Sequence, residues 1–240
     1  MKRPHFHAPT AVLLGLMVVA SPATAADILT ETDPTPPEPV EALTPAGGWY
    51  VGARIGAAFA DDSRFGVLGT TVSNQYNTGY NLSAALGYTF DAAGLMSFRA
   101  EGELGYKSLE IDSHNVTGLG VFSGGNATGD TSSFYGLANG YVDFNTGALT
   151  PFVGAGIGYA SLDFDGHGVT PTGTVMNSSG DGLAWQVGAG LAYDLTESLK
   201  VDLSYRYMNI EDVDLTATDG TTSSVDFSDH LVSLGIRQAF

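Results

Sequence analysis

The sequence contains no cysteine, which excludes disulfides, thiol catalysis and thiolate metal centres together. Charge is scarce: Asp, Glu, Lys and Arg make up 15% of the chain, against roughly a quarter in an ordinary soluble domain. Basic residues are scarcest, 9 Lys and Arg against 26 Asp and Glu, for a net charge of −17. Such a surface repels phosphate backbones, so nucleic acid is excluded as a partner. Hydrophobic residues reach 43%, yet no apolar run approaches the ~20 residues of a spanning helix, which excludes a helical membrane protein. GxSxG, HExxH, P-loop and dinucleotide fingerprints are absent, and with them the chemistry that those spacings position. Helical spacing of apolar residues is not sustained anywhere after residue 47.

What is present points elsewhere. The chain holds 32 glycines, about twice the usual share. Lys2 and Arg3 precede an apolar run from Ala11 to Ala20, and Ala23-Thr24-Ala25 forms a small-residue cleavage box. Residues 1–25 therefore read as an export signal peptide, too short to remain as an anchor. Residues 26–47 read as an acidic Pro-rich tether, with Pro34, Pro36, Pro37, Pro39 and Pro45 interleaved with Glu31, Asp33, Glu38 and Glu41. This composition favours extended polyproline conformations over a packed core.

From residue 48 to 240 apolar residues recur at period two in eight segments, 49–60, 79–90, 95–110, 133–145, 151–163, 183–194, 199–212 and 227–240. Each reads as a β-strand. Long connections (61–78, 111–132, 164–182, 213–226) alternate without exception with short ones (91–94, 146–150, 195–198). Outer-membrane barrels have this asymmetry. The expected fold is all-β, an eight-stranded antiparallel up-and-down transmembrane barrel with four long, mobile outer loops and three short periplasmic turns. With an even number of strands, both termini are expected in the periplasm and the loops outside the cell.

Parity within the strands supports this. One face of the first strand carries Trp49, Val51, Ala53, Ile55, Ala57 and Phe59, and the same split recurs in the second, third, sixth and seventh strands without a charge. Aromatic residues including Trp49, Phe90, Trp185, Tyr205, Tyr207 and Phe240 fall toward strand ends, where interfacial girdles belong.

Opposite parity collects Arg54, Arg99, Lys107, Arg206 and Arg237 together with Glu101, Glu103, Asp143 and Asp202. Side chains fill the interior of an eight-stranded barrel, so these groups are expected to pair in a lumen charge network. Glu101 and Glu103 would also suit general acid–base work, but alternation on one strand face accounts for them without a reaction, and neither an enzyme activity nor a cofactor is expected. Gly154, Gly156 and Gly158 leave room for large residues across the lumen. Asp163-Phe164-Asp165-Gly166-His167 matches only the opening of a calcium loop, lacking a third oxygen ligand and the closing glutamate. His114 and His167 fall in long loops and His230 beside one; they read as unrelated surface residues, and a heme or zinc site from them stays open.

Gly47-Gly48-Trp49-Tyr50-Val51-Gly52, the run Pro151 to Gly158 (PFVGAGIG) and the terminal Ser233 to Phe240 (SLGIRQAF) resemble the small outer-membrane β-barrels of the OmpA-like and opacity type. The Pro-rich entry is similar to that of alphaproteobacterial members. Phe240, preceded at equal parity by Ile236, Leu234 and Val232, resembles the signal read by the barrel-assembly machinery, with Gln238 a departure from it. The resemblance implies a barrel that stabilises the cell envelope and presents loops, with adhesin and narrow-channel members as alternatives. It also implies a link from the mature α-amine of Ala26 to peptidoglycan, which a tether reaching roughly 60 Å allows; the alternative is a disordered spacer that keeps the signal-peptidase site clear of the folding barrel. Outer-membrane lipid and lipopolysaccharide are the remaining expected partners. The four long segments carry Asp61, Asp62, Asp112, Asp130, Asp165, Asp181, Asp214, Asp219 and Asp226 against the single base Arg64, so lipopolysaccharide contact there needs bridging divalent cations.

Overall fold

The computed structural model describes residues 47–67, 70–90, 95–118, 120–123, 126–169 and 173–240. The signal peptide and the tether up to residue 46, Ala26 included, lie outside the described residues. The described chain forms β1 (Gly48–Ala60), β2 (Ser63–Val67), β3 (Thr70–Tyr76), β4 (Gly79–Phe90), β5 (Met96–Val116), β6 (Gly120–Ser123), β7 (Ala127–Phe144), β8 (Leu149–Val169), β9 (Gly173–Asp194), β10 (Leu199–Thr216) and β11 (Thr222–Ala239). Eight of them close an antiparallel ring in the order β1-β4-β5-β7-β8-β9-β10-β11 and back to β1. At the seam, Tyr50 opposes Ala239 and Ala60 opposes Asp229, and the Phe240 amide donates to the Trp49 carbonyl at 3.0 Å. Closure leaves the ring without a free edge.

A strand needs about 9–11 residues to cross a membrane. β1 and β4 have 13 and 12 residues, whereas β5 and β8 have 21 each and β9 has 22. The surplus projects past the long-connection end. There β2 and β3 form a hairpin, and β3 and β6 flank the far end of β5. The segments 61–78, 111–132, 164–182 and 213–226, expected as mobile loops, are thus mostly strand, and together they build a cap.

The strand ends escape a search for one apolar face because polarity inverts along each strand. In β10 the outward residues run from apolar Val201, Leu203, Tyr205 and Tyr207 to Asn209, Glu211 and then Asp214. The inward ones run from Asp202, Ser204 and Arg206 to Met208, Ile210, Val213 and Leu215. β11 repeats this in reverse, with Ile236, Leu234 and Val232 outside followed by Ser228 and Asp226, while Phe227 and Val225 turn inward. Two solvents explain the switch: apolar side chains face outward where the outside is hydrocarbon, and inward where it is water. Bulges sharpen it. Between Ile210 and Val213 the register of β10 shifts and Asp212 takes a φ of 54°, so inward positions change from even to odd numbers. β8 shifts likewise between Phe164 and His167.

Candidate functional site, the filled lumen and its cap

Inside the apolar belt the lumen is packed with polar side chains. At the short-turn end Lys200 pairs with Asp194 at 2.5 Å and Arg237 with Asp202 at 3.2 Å, around a mouth cavity of about 340 Å³ that Tyr50, Arg99, Asp143 and Arg237 help to line. Above them Arg99 forks onto Asp143 at 2.6 and 3.0 Å, with its guanidinium 4.3 Å over the Tyr141 ring. At mid-height Arg54 donates twice to Glu101, at 2.9 Å each, and Arg206 donates to Glu103 at 2.7 Å. Arg54 also lies 3.6 Å from Glu103. Paired guanidinium and carboxylate forks are the geometry in which buried ions compensate for lost hydration.

Neutral groups complete the carboxylates' hydrogen bonding. Tyr50 donates to Glu101 at 2.8 Å, and Asn139 and Gln186 donate to Glu103 at 3.0 and 3.3 Å. Tyr135 donates to Asn81 at 2.8 Å. Glycines make space for these large residues, though against the adjacent strand rather than across the lumen. A Cβ at Gly87, Gly105 or Gly154 would meet the rings of Tyr50, Tyr135 and Tyr141 at 2.2–2.3 Å, and each glycine is paired in register with that tyrosine. The rings lie along the wall over these glycines, the hydroxyls of Tyr50 and Tyr135 included.

Lys107 points into the lumen but stands apart from the arginine network. Its partner is Asp229 on β11, 122 residues away, and both are fully buried. Its ammonium lies 3.6 Å from the Met208 sulfur and 5.3 Å from the Phe227 ring centre. Directly beyond comes the cap's core, with Leu109, Leu162, Phe164, Ile210, Val213, Leu215 and Phe227 buried together. Charge network, lysine pair and apolar plug thus follow one another along the axis.

Within the plug lies a second polar group that the sequence did not suggest. His114 and His167 are buried, not surface residues, with rings 5.8 Å apart. Asn74 of β3 joins them: its Oδ1 is 2.8 Å from His114 Nδ1, and its amide nitrogen 3.5 Å from His167 Nδ1. His114 Nε2 donates to the Thr128 carbonyl at 2.9 Å and His167 Nε2 to the Asp130 carbonyl at 3.0 Å. Burial pushes the His167 imidazole down to about 4 and lowers His114, opposed in each case by the carbonyl it donates to. His167 is therefore neutral at pH 7, with its Nδ1 facing the Asn74 amide nitrogen. No group of three or more His, Cys, Asp and Glu suited to a metal occurs among the described residues. Asp163 and Asp165 lie outside on β8 with Phe164 inside between them, a strand alternation rather than a calcium loop.

Val232, Leu234 and Ile236 project from the outer wall of β11, and Phe240, one residue past its end, is exposed. Asp229, Tyr50, Tyr135 and Tyr141 were missing from the expected network, although all share the inward parity of the charged residues beside them. For the histidines no comparable signal exists, because the register shifts that turn them inward are tertiary features.

The chain is similar to several known proteins. An uncharacterized protein of Brucella abortus (strain 2308) is 29% identical over 229 residues, covering 83% of this chain and 80% of its own. Outer membrane protein PagN of Salmonella typhimurium is 33% identical over 123 residues, 43% of this chain and 48% of PagN. The crystal structure of Neisserial surface protein A aligns with a TM-score of 0.48 and 20% identity, over 80% of this chain and 97% of that one. The profile of the outer membrane protein β-barrel domain matches residues 11–237, and the chain belongs to that family of outer-membrane barrels.

Proposed function

We propose that this protein is a closed, non-enzymatic outer-membrane barrel that stabilises the envelope and presents a folded cap to the cell's surroundings. The observation that carries the reading is the filled axis. The charge network of Arg54, Glu101, Glu103 and Arg206 is followed by the Lys107–Asp229 pair and the apolar plug, and an eight-stranded interior has no further width for an aqueous path. In this reading the short turns and both termini are periplasmic and the cap faces outward, as connection lengths sort in bacterial barrels. Planar-bilayer recording tests it: the intact protein is expected to give no steady unitary conductance, and a stable conductance would make it a narrow channel instead.

The reading extends to three partners. The outward row Val232, Leu234, Ile236 and Phe240 serves as the signal for the barrel-assembly machinery. Residues 26–47 link the barrel to peptidoglycan through the Ala26 amine; muramidase digestion of purified walls is expected to release an N-terminal peptide carrying a wall fragment, and a uniformly free Ala26 amine would refute the link. The exposed aspartates of the cap, Asp112, Asp130, Asp165, Asp181 and Asp214 among them, hold the anionic groups of lipopolysaccharide only through divalent cations, so chelation is expected to weaken co-purification.

A further inference from the structure

On the outside of β9, β10 and β11, where the apolar wall gives way to polar residues, four rings form a connected group. Trp185 lies 5.6 Å from Tyr207, and Tyr207 5.3 Å from His230. Tyr205 stacks on His230 at 5.9 Å with 21° between the planes. Register explains the grouping, since Tyr207 opposes His230 across one strand pair and Asn209 opposes Trp185 across the next. Polar groups hold the rings in place. The Tyr205 hydroxyl and His230 Nδ1 share a hydrogen bond of 2.6 Å, and the Trp185 indole donates to Glu211 at 2.7 Å. His230 Nε2 lies 3.8 Å from the Asp61 carboxylate.

An interfacial belt accounts for aromatic rings at this height. It does not account for the Glu211 carboxylate hydrogen-bonded to Trp185, nor for Asp61, which Ser228 holds at 2.8 Å beside His230. Across the barrel, the Tyr80–Tyr106 pair of β4 and β5, at 6.2 Å, is a belt contact with no carboxylate hydrogen-bonded to either ring among the described residues. We infer that the Trp185–Tyr207–His230 patch is a binding site for a neutral sugar unit in the headgroup of an outer-leaflet glycolipid. The rings present flat apolar faces to the C–H side of a sugar, and Glu211, Asn209 and Asp61 above them supply hydrogen-bonding groups for its hydroxyls. Two carboxylates beside one imidazole disfavour a phosphate at the same place. The inference rests on the outward orientation of the cap proposed above.

Trp185 is itself the reporter. The sequence has two tryptophans, so Trp49→Phe leaves Trp185 as the sole indole. Full-length protein folded into phosphatidylcholine vesicles is titrated with rough lipopolysaccharide that retains its core sugars and, separately, with lipid A that lacks them. The core-bearing probe is expected to shift Trp185 emission saturably, with lipid A at least tenfold weaker. Tyr207→Leu should weaken the response about tenfold, the size of one ring contact, and His230→Gln should weaken it in a milder, folded background. Tyr80→Leu should leave it unchanged. An equal response to lipid A, or an equal loss in Tyr80→Leu, would reduce the patch to a generic belt and overturn the inference. Orientation is read separately by an epitope inserted after Gly220 in the β10–β11 turn. If intact cells stain and the sugar-dependent shift is absent, the site is wrong and the orientation stands; if the epitope is shielded, the orientation itself is wrong.

Discussion

The belt and the cap of one barrel are built by opposite rules. In the belt, apolar side chains face out and ions fill the interior; in the cap, aspartates face out and Leu162, Phe164, Ile210 and Leu215 fill the interior. The same strands run on through the change, register shifts in β8 and β10 notwithstanding, so the difference lies in the surrounding solvent. In the belt, lipid on the outside removes any gain from turning an apolar residue inward, and the polar content of the lumen must satisfy itself through pairing. In the cap, water outside restores the ordinary hydrophobic core. The cap therefore draws stability from packing, and the belt's interior from complementarity of charge.

The strongest way to break this contrast is to unpair the belt's interior. Glu101→Ala removes the partner of both Arg54 nitrogens and the acceptor of Tyr50, and should destabilise by about 3–5 kcal/mol. A double-mutant cycle with Arg54→Ala should show the largest coupling, and Arg237 a smaller one with its own partner. The Arg237–Asp202 contact is a single one at 3.2 Å, with Arg237 Nη2 and Asp202 Oδ1 lacking hydrogen-bond partners among the described residues. Coupling of equal size in both pairs would contradict the ranking.

Next comes the cap's core. Phe227→Ala, at a fully buried site beside Tyr76 and Lys107, should cost about 3 kcal/mol. The loss should appear as protease sensitivity of residues 108–132 and 213–226 while the barrel stays resistant to detergent unfolding. Simultaneous loss of both would mean that belt and cap fold as one unit.

On the belt's exterior, Ile236→Arg should cost about 2–4 kcal/mol and impair assembly, whereas Ser233→Ala, inward on the same strand, should be milder. Equal effects in a folding assay in lipid vesicles would contradict the assignment of faces.

The smallest effect is pH. His167 has a folded pKa near 4 against about 6.5 unfolded, so the native cap binds fewer protons than the unfolded chain. Its contribution is fully present above the unfolded value and is lost as pH falls toward 4, about 2 kcal/mol by pH 5. His167→Asn should flatten the cap's acid sensitivity in hydrogen exchange between pH 7 and pH 5, while His230→Asn, outside the cap core, should not.

Particular residues mark where sequence reading stopped. All eight ring strands were visible from apolar residues at period two, and the charged inward parity of Arg54, Arg99, Glu101 and Arg206 was visible with them. The expected strand ends near 110, 163 and 212 fell short because alternation continues with its polarity reversed. At Asp212 and between Phe164 and His167 a bulge also resets the period, so a fixed parity loses the signal there.

By itself, the sequence determined the eight-stranded alternation, the alternating connection lengths and an interior that has to neutralise its own charge, because these follow from side-chain period and composition alone. Tertiary structure decided which charges meet: Lys107 finds Asp229 across 122 residues, and His114 finds His167 through Asn74 of a third connection. Both depend on ring closure and on local register, and a one-residue shift in either would turn the same side chains to the opposite face.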